Sequence, residues 1–213
     1  MIHFPRPWRF ATLSVFVLLG GCATGPKALA PLTEIPAREC ATAPDLSNAA
    51  PLVFDGKKDS ELTVDIGDTT PCLRNSAGTA LYKVFALPPG DVPYVLGVTS
   101  VAAGTTLFAP HVMLLASDGG VRRDFAGQTA EFRNNGLGVI VRSHAGESFL
   151  VVASDPTMVG KTTDRILEAT QVTTGSTGYA TFQIHTGSEA TNTYVFAHNG
   201  QVIVTLTPLP SVK

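Results

Sequence analysis

Gly160-Lys161-Thr162 has the form of the end of a phosphate-binding loop, in which backbone amides and a lysine cradle a nucleotide. That loop needs a glycine five residues earlier, and Asp155 stands there. No GxSxG, HExxH, SxxK or GxGxxG pattern occurs, so no serine nucleophile, zinc-binding helix or dinucleotide loop is signalled. His111, His144, His185 and His198 are scattered, with no pair at the helical spacing a metal would use. His185 and His198 flank apolar runs that read as neighbouring strands, where the two rings would meet or simply stand exposed. Asp55, Asp59, Asp65 and Asp68 bracket one strand and its turns, but no loop has the ligand order of a calcium site, so they read as solvated turn carboxylates. A glycosidase needs only two acids that approach in space, which spacing alone does not reveal.

The cysteines are more informative. Arg6 and Arg9 precede the apolar run Phe10–Leu19, which is too short to span a bilayer and right for a secretory signal. The run ends in Leu19-Gly20-Gly21-Cys22, which resembles the lipobox of bacterial lipoproteins. The resemblance implies cleavage after residue 21, a diacylglycerol on the Cys22 thiol and an acyl chain such as palmitate on its amine. Each buried methylene contributes about 0.8 kcal/mol, so several chains anchor a protein stably where one is marginal. Ala23 and Thr24 follow instead of the aspartate that often marks inner-membrane retention, which implies an outer-membrane lipid anchor with the domain facing the periplasm, surface exposure being the alternative. Loss of Arg6, Arg9 and Trp8 takes the formal charge from −2 to −4 and removes the sole tryptophan.

In an exported protein two cysteines then remain, and Cys40 with Cys72 is the one possible disulfide. Closing a loop of about 33 residues would stabilise by about 3–4 kcal/mol in the chain-entropy model. A metal or redox role for the pair lacks a CxxC motif or a nearby histidine. Residues 22–51 are rich in proline and alanine without a period of 2 or 3.6, the composition of a tether.

Residues 52–213 read as one domain. The whole chain of 213 residues is 44% hydrophobic and 15% charged, which excludes disorder, and its near-neutral charge without basic runs argues against nucleic acid as a partner. β-Branched and apolar runs fall at 52–55, 61–66, 79–87, 94–101, 111–116, 128–133, 138–143, 148–154, 178–185, 193–197 and 201–207. Glu61–Ile66 alternates polar and apolar residues, as does Gly178–His185, which gives each one buried and one wet face. Pro88-Pro89-Gly90-Asp91, Asp118-Gly119-Gly120 and Asn199-Gly200 are turn sequences, the last a strong two-residue hairpin signal. Asp155-Pro156 is suited to start a short helix running towards Gln171. The expected architecture is an all-β antiparallel β-sandwich, jelly-roll or immunoglobulin-like, with at most one short helix.

Val98-Thr99-Ser100 followed by Leu107-Phe108-Ala109-Pro110-His111-Val112-Met113-Leu114-Leu115 resembles the most recognisable stretch of the maltose-operon periplasmic protein (MalM) family. Ser148–Ser154 with Gly160-Lys161-Thr162-Thr163 forms a second match and Gly178–His185 a third, over roughly residues 75–207. These are mostly strand-packing residues, and the family has no established catalytic residues to carry over. The resemblance implies a non-enzymatic envelope lipoprotein, an accessory binding protein in maltodextrin uptake whose partners are the membrane through Cys22 and a maltodextrin or an outer-membrane porin. No catalytic, cofactor or metal residue is assigned, and the ligand-binding residues are not identified. The alternatives are a periplasmic hydrolase built from distant strands and a structural or adhesive envelope lipoprotein.

Overall fold

The computed structural model describes residues 29–89, 93–126, 129–133, 136–176, 179 and 181–209. The signal segment and Cys22 lie outside the described residues. Among the described residues there are fourteen strands: β1 Ala50–Pro51, β2 Ser60–Ile66, β3 Cys72–Asn75, β4 Gly78–Ala86, β5 Tyr94–Val101, β6 Thr106–Phe108, β7 Pro110–Leu115, β8 Val121–Phe125, β9 Glu131–Arg133, β10 Gly136–Arg142, β11 Phe149–Ser154, β12 Thr162–Ser176, β13 Thr181–Ala197 and β14 Gly200–Pro208. One sheet runs β1-β4-β11-β7-β8 with β3 added on β4, and a second runs β2-β14-β5-β10-β9. They face each other as an all-β sandwich.

The core between them follows from alternation along each strand. Leu81 and Phe85 of β4, Val112 and Leu114 of β7, and Leu150 and Val152 of β11 meet Leu96 and Val98 of β5, Val139 of β10 and Val202, Val204 and Leu206 of β14. Strands β4 and β11 are apolar on their other face too, where Tyr82, Val84, Val151 and Ala153 pack with Leu46, Ala49, Met113 and Phe149. A strand buried on both faces loses its alternation and reads as a continuous apolar run.

Leu46 and Ala49 on that second face belong to the Pro-rich segment expected to be a tether. From Leu29 to Pro51 this segment is laid along the domain as a strap. Leu32 and Ile35 pack against the core, Arg38 donates to the carbonyls of Asp68 and Thr70, Ala41 pairs with Leu73, and β1 lies parallel to the end of β4. The Tyr82 hydroxyl accepts the Asp45 N–H at 3.0 Å. Proline spacing signals an extended chain, but the leucines and isoleucine between the prolines give that chain an apolar side to bury.

Three further expectations are corrected. No helix forms after Asp155: residues 156–160 make one tight turn, Gly160 ends it at φ +82°, and a β-branched run then extends as β12. Residues 181–185 of the run at 178–185 and the run at 193–197 belong to one long strand, β13, which pairs with β12 from Thr162 opposite Val195 to Ser176 opposite Thr181, while residues 178 and 180 lie outside the described residues. Asn199-Gly200 is not a hairpin, because β13 pairs with β12 and β6 while β14 joins the five-stranded sheet. Gly200 is required by close packing: a Cβ there would sit 2.8 Å from Cβ of Phe108.

Candidate functional site

Cys40 and Cys72 are disulfide-bonded, with Cα atoms 4.9 Å apart, and the bond fastens the middle of the strap to the start of β3. The histidines stay apart. His111 on β7 pairs with Asp124 on β8, and His144 follows β10, where its N–H donates to Glu147. His185 lies in β13 opposite Val172, thirteen positions along the same extended chain from His198. Their backbones are therefore about 40 Å apart at the strand rise of about 3.3 Å per residue. Asp55 serves as a turn cap. The N–H groups of Lys57 and Lys58 donate to its carboxylate and hold it below the usual carboxylate range. Among the described residues no group of three or more His, Cys, Asp or Glu converges as a metal site would require. Gly160-Lys161-Thr162 leads into a strand, so the helix N-terminus on which a phosphate loop depends is not there.

One pairing had no sequence signal. The Oγ of Ser154, at the end of β11, lies 2.7 Å from Nδ1 of His198, in the turn between β13 and β14. Forty-four residues separate the two in sequence. The distance is that of a nucleophile and its base, but Ser154 is fully buried and its oxygen already accepts the Leu81 N–H at 3.0 Å. Burial lowers the imidazole pKa, which favours the neutral ring beside the serine. In this arrangement the pair locks three elements together and offers no oxygen to a substrate.

Next to this lock the strap closes one side of a cleft of about 900 Å³. Asn199 builds that wall. Its Oδ1 accepts the Leu32 N–H at 2.8 Å, and its Nδ2 donates to the Ala30 carbonyl at 2.9 Å. The His198 N–H adds a bond of 2.9 Å to the Leu32 carbonyl. Opposite the strap the cleft is lined by Asp65, Asp68 and Thr69 around the end of β2, by Lys83 of β4 and by Gln201 of β14. Gln201 donates to Asp65 at 3.2 Å, so the pair presents one planar, multiply hydrogen-bonding group. The apolar lining comes from Leu29, Pro31 and Val101.

Val101 also lines a groove of about 730 Å³ on the outer face of the five-stranded sheet. Strand register sets the groove out in rows. Asp65, Gln201, Val101, Gly136 and Arg133 lie across five strands in one row, and Thr63, Ile203, Thr99, Gly138 and Glu131 in the next. Gly136 and Gly138 keep this floor low: a Cβ at Gly136 would fall 2.3 Å from Cγ2 of Thr99, and one at Gly138 would fall 2.6 Å from the Val98 carbonyl. Cleft and groove thus share a wall and a row of side chains. Their rims carry carboxylates, amides, hydroxyls, a lysine and an arginine, while their linings contain no aromatic ring among the described residues.

Fold and site together define an all-β sandwich with a polar-rimmed surface trough. Comparison of the chain with protein-family models, curated proteins and solved structures found no match in any of the three.

Proposed function

We propose that this is a non-enzymatic outer-membrane lipoprotein, anchored through Cys22, whose sandwich is an accessory binding module for a carbohydrate chain of the maltodextrin type. The resemblance of Val98–Leu115 and Ser148–Thr163 to the maltose-operon periplasmic family motivates the substrate class. The observation that carries the reading is the row Asp65–Gln201–Val101–Gly136–Arg133, which links an open cleft to an open groove with planar polar groups at both ends. An elongated, hydroxyl-rich ligand matches such a row, because carboxylate, amide and guanidinium groups each bond adjacent hydroxyls in pairs. Without an aromatic platform the affinity is expected to be weak, in the millimolar range. The strap bears on delivery. Leu29 follows Cys22 by seven residues, so with Cys22 in the bilayer the strap end of the cleft stays within about 25 Å of the anchor, far closer than a 30-residue tether would keep it.

The test is calorimetry of the chain from Ala23 onward, which keeps every described residue, titrated with maltooligosaccharides of increasing length. Heat that grows with chain length and falls in Gln201→Ala supports the reading. No heat at millimolar sugar overturns it and moves the assignment to a protein partner such as a porin, for which the lack of aromatic lining already argues.

A further inference from the structure

The ribbon made by β12 and β13 goes beyond carbohydrate binding. It is rooted on the body by β13, whose Val195–Ala197 pair in parallel with β6, by Phe132 stacked on Tyr194 with centroids 6.3 Å apart, and by Arg165 over the Phe132 ring. Beyond that root it continues as two strands, from Ile166 opposite Thr191 to Ser176 opposite Thr181, or about 35 Å at the usual strand rise. Among the described residues no third strand pairs with this part. A two-stranded ribbon is marginally stable in water and gains stability when a further strand adds to its edge. Ile166 is 62% and Val172 49% exposed on it.

Strands that end a sheet in soluble proteins are usually protected against pairing by lysine, proline, a bulge or shortness. Strand β12 is 15 residues long, has no Lys or Pro and pairs with β13 in unbroken register, and its charges, Asp164, Arg165 and Glu168, are confined to its first half. Residues 169–176 and 181–188 contain no Asp, Glu, Lys or Arg, so the outer part of the ribbon carries no fixed carboxylate or basic charge, while Glu168 and Glu189 stand opposite each other nearer the root. The two strands also carry nearly the same hexapeptide, Gln171-Val172-Thr173-Thr174-Gly175-Ser176 and Gln183-Ile184-His185-Thr186-Gly187-Ser188. Each edge therefore offers the kind of sequence that the ribbon already pairs with internally.

We infer that the ribbon is a homotypic docking arm: the outer edge of β12, from Asp164 to Gly175, pairs antiparallel with the same edge of a second copy of this chain. The product is a four-stranded sheet β13-β12-β12-β13 on a twofold axis, held by main-chain hydrogen bonds. Edge β12 is used because β6 already occupies the outer edge of β13 at the root.

The experiment is sedimentation of the full mature chain in density-matched detergent across the micromolar range, with Thr173→Lys/Thr174→Lys placing one lysine on each face of the ribbon and Thr173→Ser/Thr174→Ser as control. The wild type and the serine control are expected to sediment as dimers and the lysine variant at half that mass, with near-ultraviolet circular dichroism unchanged. A monomeric wild type overturns the inference. So does a lysine variant that stays dimeric, because the copies would then meet through another surface.

Discussion

Ser154 and His198 form a buried hydrogen bond of 2.7 Å at a serine oxygen that also accepts the Leu81 N–H at 3.0 Å. β11, β4 and the turn into β14 therefore meet at one hydroxyl. The His198 ring is buried, and charging it there is unfavourable, which makes the fold sensitive to acid. Burial lowers the His198 pKa below its ordinary value of 6.5, so the unfolded chain binds the proton more readily than the folded one. Stability from this group is thus fully present above pH 6.5 and is lost as the pH falls from there through the lower folded value. His198→Asn keeps an acceptor near Nδ1 that does not titrate, and urea melts of this variant should show a flatter pH profile than the wild type below neutrality. His198→Phe removes the hydrogen-bond partner of the buried Ser154 hydroxyl and should cost about 1–3 kcal/mol at pH 8. Parallel pH profiles for wild type and His198→Asn would show that the lock does not titrate.

The disulfide fixes the strap midway, between Arg38 on Asp68 and Thr70 and the Ala41 pairing with Leu73. Cys40→Ser/Cys72→Ser opens a loop with a sequence separation of 32. The expected loss is about 3–4 kcal/mol. For a domain of this size that lowers Tm by about 10 °C. Calorimetric melting with and without reductant checks it: the wild type in reductant should match the double variant, and the double variant should not respond to reductant.

Arg123 on β8 grips Glu147 with two bonds, Nε to Oε1 at 2.6 Å and Nη2 to Oε2 at 2.9 Å, and also donates to the Arg142 carbonyl. The Glu147 side chain is only 3% exposed, so the pair joins the edge of one sheet to the turn after β10 at a desolvated point. Arg123→Met leaves a buried carboxylate with the His144 N–H and no counter-charge, and should cost about 3 kcal/mol. Arg123→Met/Glu147→Gln should recover part of that loss in denaturant melts. If the double variant is as unstable as the sum of both singles, the interaction is not specific to the pair.

The strands were legible where alternation or an apolar run is a local property. Tyr94–Val101 has the expected bounds and Glu61–Ile66 is off by one residue. What local pattern could not show were features decided across the sheet. Asn199-Gly200 has hairpin chemistry, yet its glycine is set by Phe108 and its asparagine by the strap. The turn at Asp118-Gly119-Gly120 does join a hairpin, because β7 and β8 are also sheet neighbours. The prolines of 22–51 indicated an extended chain but not that its described part docks, which depends on the main core, where Leu32 and Ile35 pack, and on the second apolar face of β4 and β11, where Leu46 and Ala49 pack. The trough escaped notice for the same reason: Asp65, Gln201, Gly136 and Arg133 share a row only through strand register, and each alone looks like a surface residue of an ordinary strand.

Asn199 connects the strap to the site, which makes it separable from stability by experiment. Asn199→Ala removes an acceptor for the Leu32 N–H and a donor to the Ala30 carbonyl, and should cost about 1–2 kcal/mol, since both bonds lie near solvent. The larger effect should be local. The Leu32 amide, protected in the wild type, should exchange with solvent at least tenfold faster, while amides of β11 keep their protection, because the disulfide still holds the strap at Cys40. With that wall loosened, heat of binding for any ligand seated against Leu29–Leu32 falls, whereas a ligand confined to the groove over Gly136 and Gly138 is unaffected. Hydrogen exchange and calorimetry on the one variant therefore show whether the cleft or the groove holds the ligand, and unchanged exchange at Leu32 would mean that the Asn199 side chain does not fasten the strap.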